Sequence, residues 1–388
     1  MIAMQEIAAH LKDIAFKDDA DLHDLLTIAL AFAVFWFVAL WAAGKILLRL
    51  TFGRAWLRDA TEKEYERSYD RKMMEEYGLI TKDTTKEEII DDMMKGWAEG
   101  QPIMLQHVVG ALLCVPSLMG MGDPLWASSL AVMGVLSETG WEWSHIVQII
   151  NQKFFTKGGH TKIPTGMFCV VMLHHSLASN LGIPAVLYYR HLRAVHWVCF
   201  DLQIGGGVVG VLTEYSKFLD LSIPSDLRKF KTINFMLLMF MVWTRAIHWL
   251  YLSYQIILTW YLDKAWAFLV VGSVCIALFS VFNIVFGVIP MYQRFMKFLH
   301  KSAEYESLPS DVSEKRKRES TFQLETAAAE FLAESALGIF DRAEIFLESL
   351  EDRKGLDRRQ TMPAHRMKSL ASKRMLKFSS MPAIPKED

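Results

Sequence analysis

The chain has 388 residues, a formal net charge of -1 and 52% hydrophobic residues. Near-neutral charge leaves no electrostatic footprint for nucleic acid, which is not an expected partner. The apolar residues gather in runs of about 20, the helical length that crosses a hydrocarbon core. This excludes a soluble domain and predicts an all-α, polytopic membrane protein.

Residues 1–24 are rich in Asp and form an expected lumenal N-terminus. They do not read as a cleaved signal peptide, because the apolar run that follows is too long for one. Seven spans are predicted, because only internally bonded backbone survives in lipid. They cover 25–48, 102–121, 125–149, 165–188, 191–213, 232–261 and 265–290. Between the first two lies a charged segment, 49–100, expected to be cytosolic and partly helical. Its stretch "TTKEEIIDDMMKGW" carries Thr85 and, three residues on, Glu88, a capping-box signature. Residues 101–292 then form a transmembrane domain. Its tight joins, "MGMGDP" and "YYRHLR", make antiparallel neighbours.

Residues 293–388 are an expected cytosolic tail. Within it, 322–350 has apolar residues at helical spacing and an acidic polar face, which suits a protein surface better than anionic lipid. Residues 353–388 have the composition of a disordered segment. "KRES" and "RRQT" resemble basophilic kinase sites at Ser320 and Thr361. The four cysteines, Cys114, Cys169, Cys199 and Cys275, lie in apolar runs and are expected to be reduced.

Polar groups recur near the middle of several spans. Glu138 is central in the third span, His174 and His175 in the fourth, Asp201 in the fifth, and Arg245 and His248 in the sixth. A charge at that depth costs about 2.5–3.5 kcal/mol on insertion scales. These groups are therefore expected to face inward, toward one cavity. Glu138, Glu142 and His145 stand at i, i+4 and i+7, one stripe of one helix. Arg245 and His248 are i, i+3 neighbours. Gly206 and Gly210 have GxxxG spacing, which lets another helix approach. An imidazole beside a carboxylate suits a general base or a nucleophile. The twelve histidines make no HxxxH or HxxHH box, so no metal is expected. The third span has no DRY end and the seventh no NPxxY, which argues against a receptor.

Three stretches, "LHHSLASNLGIPAVLYY", "CFDLQIGGGVVGVLTEYSKF" and "VWTRAIHWLY", resemble the TRAM–Lag1–CLN8 (TLC) domain, over about residues 100 to 300. Ceramide synthases are the best-understood enzymes of that family. The resemblance implies acyl transfer from acyl-CoA to a sphingoid-type amine. His174 and His175 would be catalytic with Asp201, and Glu138, Glu142, Arg245 and His248 would contact substrate. Phe200 and Ile204 stand where the synthases carry a His and a second Asp. Other TLC proteins are thought to serve lipid homeostasis or trafficking, the alternative expectation here. Either reading implies the endoplasmic reticulum or a related endomembrane and needs no cofactor, acyl-CoA entering as a substrate. The expected partners are membrane lipids and a protein surface for 322–350. A homo-oligomer is allowed.

Loop charge sets the orientation. The 49–100 loop holds ten Lys and Arg, 151–163 three and 214–231 four. On the opposite side 1–24 holds two, 122–124 none, 189–193 two and 262–264 one. The positive-inside rule puts the first set in the cytosol. A reporter fused after Asp388 should therefore read cytosolic, and one fused before Met1 lumenal or external. Both ends reporting the same side would mean an even number of crossings.

Overall fold

The computed structural model describes residues 9–10, 13–68, 71–76, 80–156, 163 and 165–306. The expected tail helix 322–350, the 353–388 segment, Ser320 and Thr361 lie outside them. Every regular element among the described residues is helical. The protein is an all-α, multi-pass membrane protein.

Helix α1 is Leu22–Thr51, with Asp21 and Asp24 forming a capping box at its start. Two short helices follow, α2 (Ala55–Ser68) and α3 (Arg71–Glu76). Helix α4 runs unbroken from Lys86 to Met119. Its start is the expected capping box: the Glu88 amide donates to Thr85 Oγ1 at 3.2 Å, and the Thr85 amide donates to Glu88 Oε2 at 2.8 Å. The predicted boundary at 101 is not a break. Pro102 is buried inside the helix, and in lipid a broken backbone has no water to satisfy it.

Helices α5 (Pro124–Ile150), α6 (Thr165–Tyr188) and α7 (Arg193–Lys217) follow. Next comes one rod of 39 residues, Pro224–Leu262. It comprises α8 (Pro224–Val242), a π-helical turn (Trp243–Ile247) and α9 (His248–Leu262). The last rod holds α10 (Ser273–Phe282) between two π-helical segments, Phe268–Gly272 and Asn283–Val288. It continues as α11 (Ile289–Glu306).

Six rods are long and apolar enough to cross a membrane: α1, α4, α6, α7, α8–α9 and Phe268–Met296. Large apolar side chains cover their outer faces, among them Leu30, Val34 and Trp41 on α1 and Val270, Val274 and Val281 on the last rod. Such continuous apolar exposure fits a hydrocarbon solvent. Helix α5, the third expected span, is not among the six. Ser, Thr, Gly, Glu and His dilute its hydropathy. The reason is its position: it packs against α1, α4, α6 and α7, and 15 of its 27 residues are buried. Protein rather than lipid surrounds it. Its two ends nonetheless meet the two ends of α6. Ser128 and Ser129 bond His191 and Arg190, just past the end of α6. At the other end Lys153 donates to the Ile163 carbonyl and to Thr165 Oγ1.

The end carrying the short turns is fastened by Arg190. Its guanidinium donates to the carbonyls of Lys17 and Asp18 and to Ser129 Oγ. Its own carbonyl is bonded by His196 Nε2 at 2.7 Å, whose Nδ1 meets Ser117 Oγ at 2.6 Å. One turn thus ties the segment before α1 to α4, α5 and α7. Lys17 also donates to Asp24 at 3.1 Å, and that carboxylate holds the ammonium above its ordinary pKa.

Glycines set the helix spacing around α5. A Cβ on Gly140 would lie 2.6 Å from the Ala29 carbonyl oxygen and 2.7 Å from the Ala33 amide of α1. One on Gly134 would lie 2.8 Å from the Gly110 carbonyl of α4. The expected close approach at Gly206 and Gly210 is also present. Both face α4, at His107 and Met104, while Gly207 meets backbone, the Met104 carbonyl and the Val108 amide, at 3.2 Å. Replacing Gly140 by Ala should cost about 1–3 kcal/mol by overpacking and lower the melting temperature in detergent. Gly166→Ala, where a Cβ meets nothing within 4 Å, should not. Equal melting temperatures for the two variants would refute this packing.

Candidate functional site

The stripe on α5 organises the polar interior. Glu138 Oε2 accepts a hydrogen bond from Gln106 Nε2 at 3.1 Å and lies 3.1 Å from His107 Nδ1, both on α4. One turn on, Glu142 is only 2% exposed. Ser179 Oγ of α6 donates to its Oε2 at 3.3 Å, and its Oε1 lies 3.6 Å from His175 Nδ1. That second separation is an electrostatic contact, too long for a hydrogen bond. Another turn on, His145 Nδ1 meets His175 Nε2 at 2.8 Å. Trp141 lies among the rings, edge-on to His107 and His175 and stacked on His145.

His174 and His175 point to different surroundings, as adjacent residues 100° apart on a helix must. His175 is 2% exposed and turns to α5. His174 stacks on Phe282 of the last rod, with centroids 4.7 Å apart, and lies against Phe279. Nδ1 of each imidazole is buried without a hydrogen-bond partner. Donor atoms of Glu142, His174 and His175 nevertheless lie within 4.8 Å of one another.

Asp201, Arg245 and His248 form a second group. Asp201 Oδ2 lies 2.6 Å from His248 Nδ1, and Arg245 donates to the Leu202 carbonyl at 2.9 Å. The π turn places them so. It widens the helix there, and Arg245 and His248 meet successive positions of α7, Leu202 and Asp201. Gly205 supports this, because a Cβ there would come within 3.3 Å of the guanidinium. Arg245 remains within electrostatic reach of both Asp201 and Glu138. The aromatic rings of Trp197 and Trp243 cover His248.

A chamber opens beside the first group. It is partly open to the outside and is lined from α5, α6, α7, α9 and α10. Its walls are largely apolar: Val135, Ala178, Leu181, Val198, Ile256, Trp260 and Phe279 among them. Glu138 and Glu142 are its only acidic lining residues among those described. On α6 and α7 the lining falls at 178–185 and 195–203, the halves nearer the 189–192 turn. The chamber therefore runs from mid-depth toward the end with the short turns.

Of the expected site residues, Glu138 and Glu142 line this chamber, and His175 stands directly behind Glu142. His174, Asp201, Arg245 and His248 are buried or half-buried near it but do not line it. Gln106 and His107, absent from the sequence reading, complete the first group. Their only signal was a Gln-His pair inside the apolar run of α4.

No family model, no curated protein and no solved structure matches this chain.

Asp201 and His248 should behave as a coupled pair. Removing one partner of a buried pair costs about 3–5 kcal/mol. Asp201→Ala and His248→Ala should each destabilise the protein, and the double variant should be less destabilised than their sum by about 0.5–3 kcal/mol. Strict additivity in thermal unfolding would show that the pair does not interact.

Proposed function

We propose that the protein binds the apolar chain of a membrane lipid in the chamber between α5, α6, α7, α9 and α10, with the polar head at Glu138 and Glu142. One observation carries this reading: an apolar space at membrane depth that ends in two carboxylates. A sphingoid-type lipid suits both ends, since its amine is a cation for the carboxylates and its chain fits the apolar walls. This reading accords with the TLC-like stretches and with residence in the endoplasmic reticulum or a related endomembrane. It favours lipid binding, lipid homeostasis or trafficking.

Acyl transfer from acyl-CoA is the second reading. The His145–His175–Glu142 chain favours it, because linked imidazoles beside a carboxylate can accept and pass on a proton. The basic residues weigh against it. A CoA phosphate needs cations at a cytosolic mouth. Lys217 is spent on Glu214 at 2.7 Å, Lys229 on Asp226 at 2.9 Å, and Lys153 on the Ile163 carbonyl. None of these, nor Arg228, lines the chamber. Lys157 and Lys162 lie outside the described residues.

Protein purified in mild detergent should carry a single-chain or sphingoid-type lipid, seen by native mass spectrometry. Ala178→Trp or Gly182→Trp should fill the chamber and reduce lipid occupancy about tenfold, the equivalent of ~1.4 kcal/mol. Unchanged lipid in both variants would reject the chamber as the binding site. The second reading is checked with labelled acyl-CoA and a long-chain base. Amide product that His175→Ala lowers by about 10²–10⁴ would establish it, and no product at any acyl length would remove it.

A further inference from the structure

We infer that Glu142, His174 and His175 hold a divalent transition-metal ion behind the acidic end of the chamber. The inference does not depend on the lipid reading. It starts from an electrostatic imbalance. Glu138 has an amide donor and an imidazole within 3.1 Å, whereas Glu142, equally central, has the Ser179 hydroxyl at 3.3 Å and an imidazole nitrogen, His175 Nδ1, only at 3.6 Å. A carboxylate 2% exposed at membrane depth needs either a proton or a cation.

The second observation is independent of charge. The Nδ1 atoms of His174 and His175 are both buried without a hydrogen-bond partner. Two orphaned imidazole nitrogens beside one underbonded carboxylate are what a metal site leaves when its ion is left out of account. The donor atoms of the three residues lie within 4.8 Å of one another, and Glu142 Oε1 is 3.6 Å from His175 Nδ1. Ligands of a tetrahedral ion at about 2.0–2.1 Å stand roughly 3.3 Å apart. Glu142 Oε1 and His175 Nδ1 are already close to that separation.

The outer contacts fit as well. Ligand imidazoles usually bond through their second nitrogen, and ligand carboxylates are themselves hydrogen-bonded. His175 Nε2 meets His145 Nδ1 at 2.8 Å, and Ser179 fixes Glu142 Oε2. Two imidazoles and one carboxylate, with no thiolate, select a borderline ion of the zinc or iron(II) class. Three protein ligands leave a position open. Of the three, Glu142 lines the chamber, so the ion would lie just behind its acidic end.

The test is metal analysis of protein purified through a tag without histidine, in detergent, from cells grown with zinc and iron. The expected result is about one ion per chain, its identity read by elemental analysis, and a severalfold loss in Glu142→Gln and His175→Ala. His145→Ala and Ser179→Ala should weaken affinity about 10–100-fold. Cobalt(II) added to stripped protein should give ligand-field bands in the visible. In His174→Cys, cobalt should add a near-ultraviolet thiolate charge-transfer band, which holds even if an alanine variant fails to fold. Ala178→Trp should lose lipid and keep the ion, separating this inference from the chamber reading. Wild-type protein with no more metal than Glu142→Gln would overturn it. So would cobalt-loaded His174→Cys without the charge-transfer band.

Discussion

Close backbone contact around α5 is the constraint on which the rest depends. Lipid tails are as apolar as the side chains they meet, so helices in a membrane gain little by hiding apolar surface. They associate where backbones can touch. Gly140 lets α1 reach α5 and Gly134 lets α4 reach it, and α4 in turn touches α7 at Gly207. With protein neighbours along most of its surface, α5 is relieved of the need to be apolar. It can therefore carry Glu138, Glu142 and His145 at a depth where a lipid-facing helix could not. The acidic end of the chamber follows from small residues elsewhere on the same helix.

The two buried polar groups solve the cost of charge differently. Asp201 is paired: an imidazole nitrogen of His248 lies at 2.6 Å. Such an arrangement is tolerant of apolar surroundings and has little left to offer a ligand. The Glu142 neighbourhood is undermatched. Its donors are few and its imidazoles partly unbonded. A site that acts on or holds something must keep unspent bonding capacity. Glu142, His174 and His175 thus keep bonding capacity that Asp201, Arg245 and His248, which join α7 to the π turn, have largely spent.

The sequence carried depth well and azimuth poorly. Apolar run length located the spans, and a capping pattern located the start of α4 to the residue, because both are local properties. Depth along each helix also marked Glu138, His174, His175, Asp201 and Arg245 as costly groups that must be turned inward. It could not say which would meet. The π turn at Trp243–Ile247 redirects Arg245 and His248 without any signature in the residues themselves. His107 was hidden for the converse reason. A lone imidazole in an apolar run looks like an ordinary packing residue until Glu138 arrives from another helix, 31 positions away in sequence.

The fastening at Arg190 bears on how the molecule is made. Its guanidinium holds carbonyls at Lys17 and Asp18, more than 170 residues upstream. The first helix therefore enters the bilayer long before its anchor is synthesised. Until then it has α4 and α5 as neighbours but no tether at that end. A ribosome adding roughly 5–20 residues per second leaves this edge open for about ten seconds or more. During that interval the segment before α1 lacks the side chain that holds it to α5. The N-terminal segment thus gains this fastening only after α6 has been made.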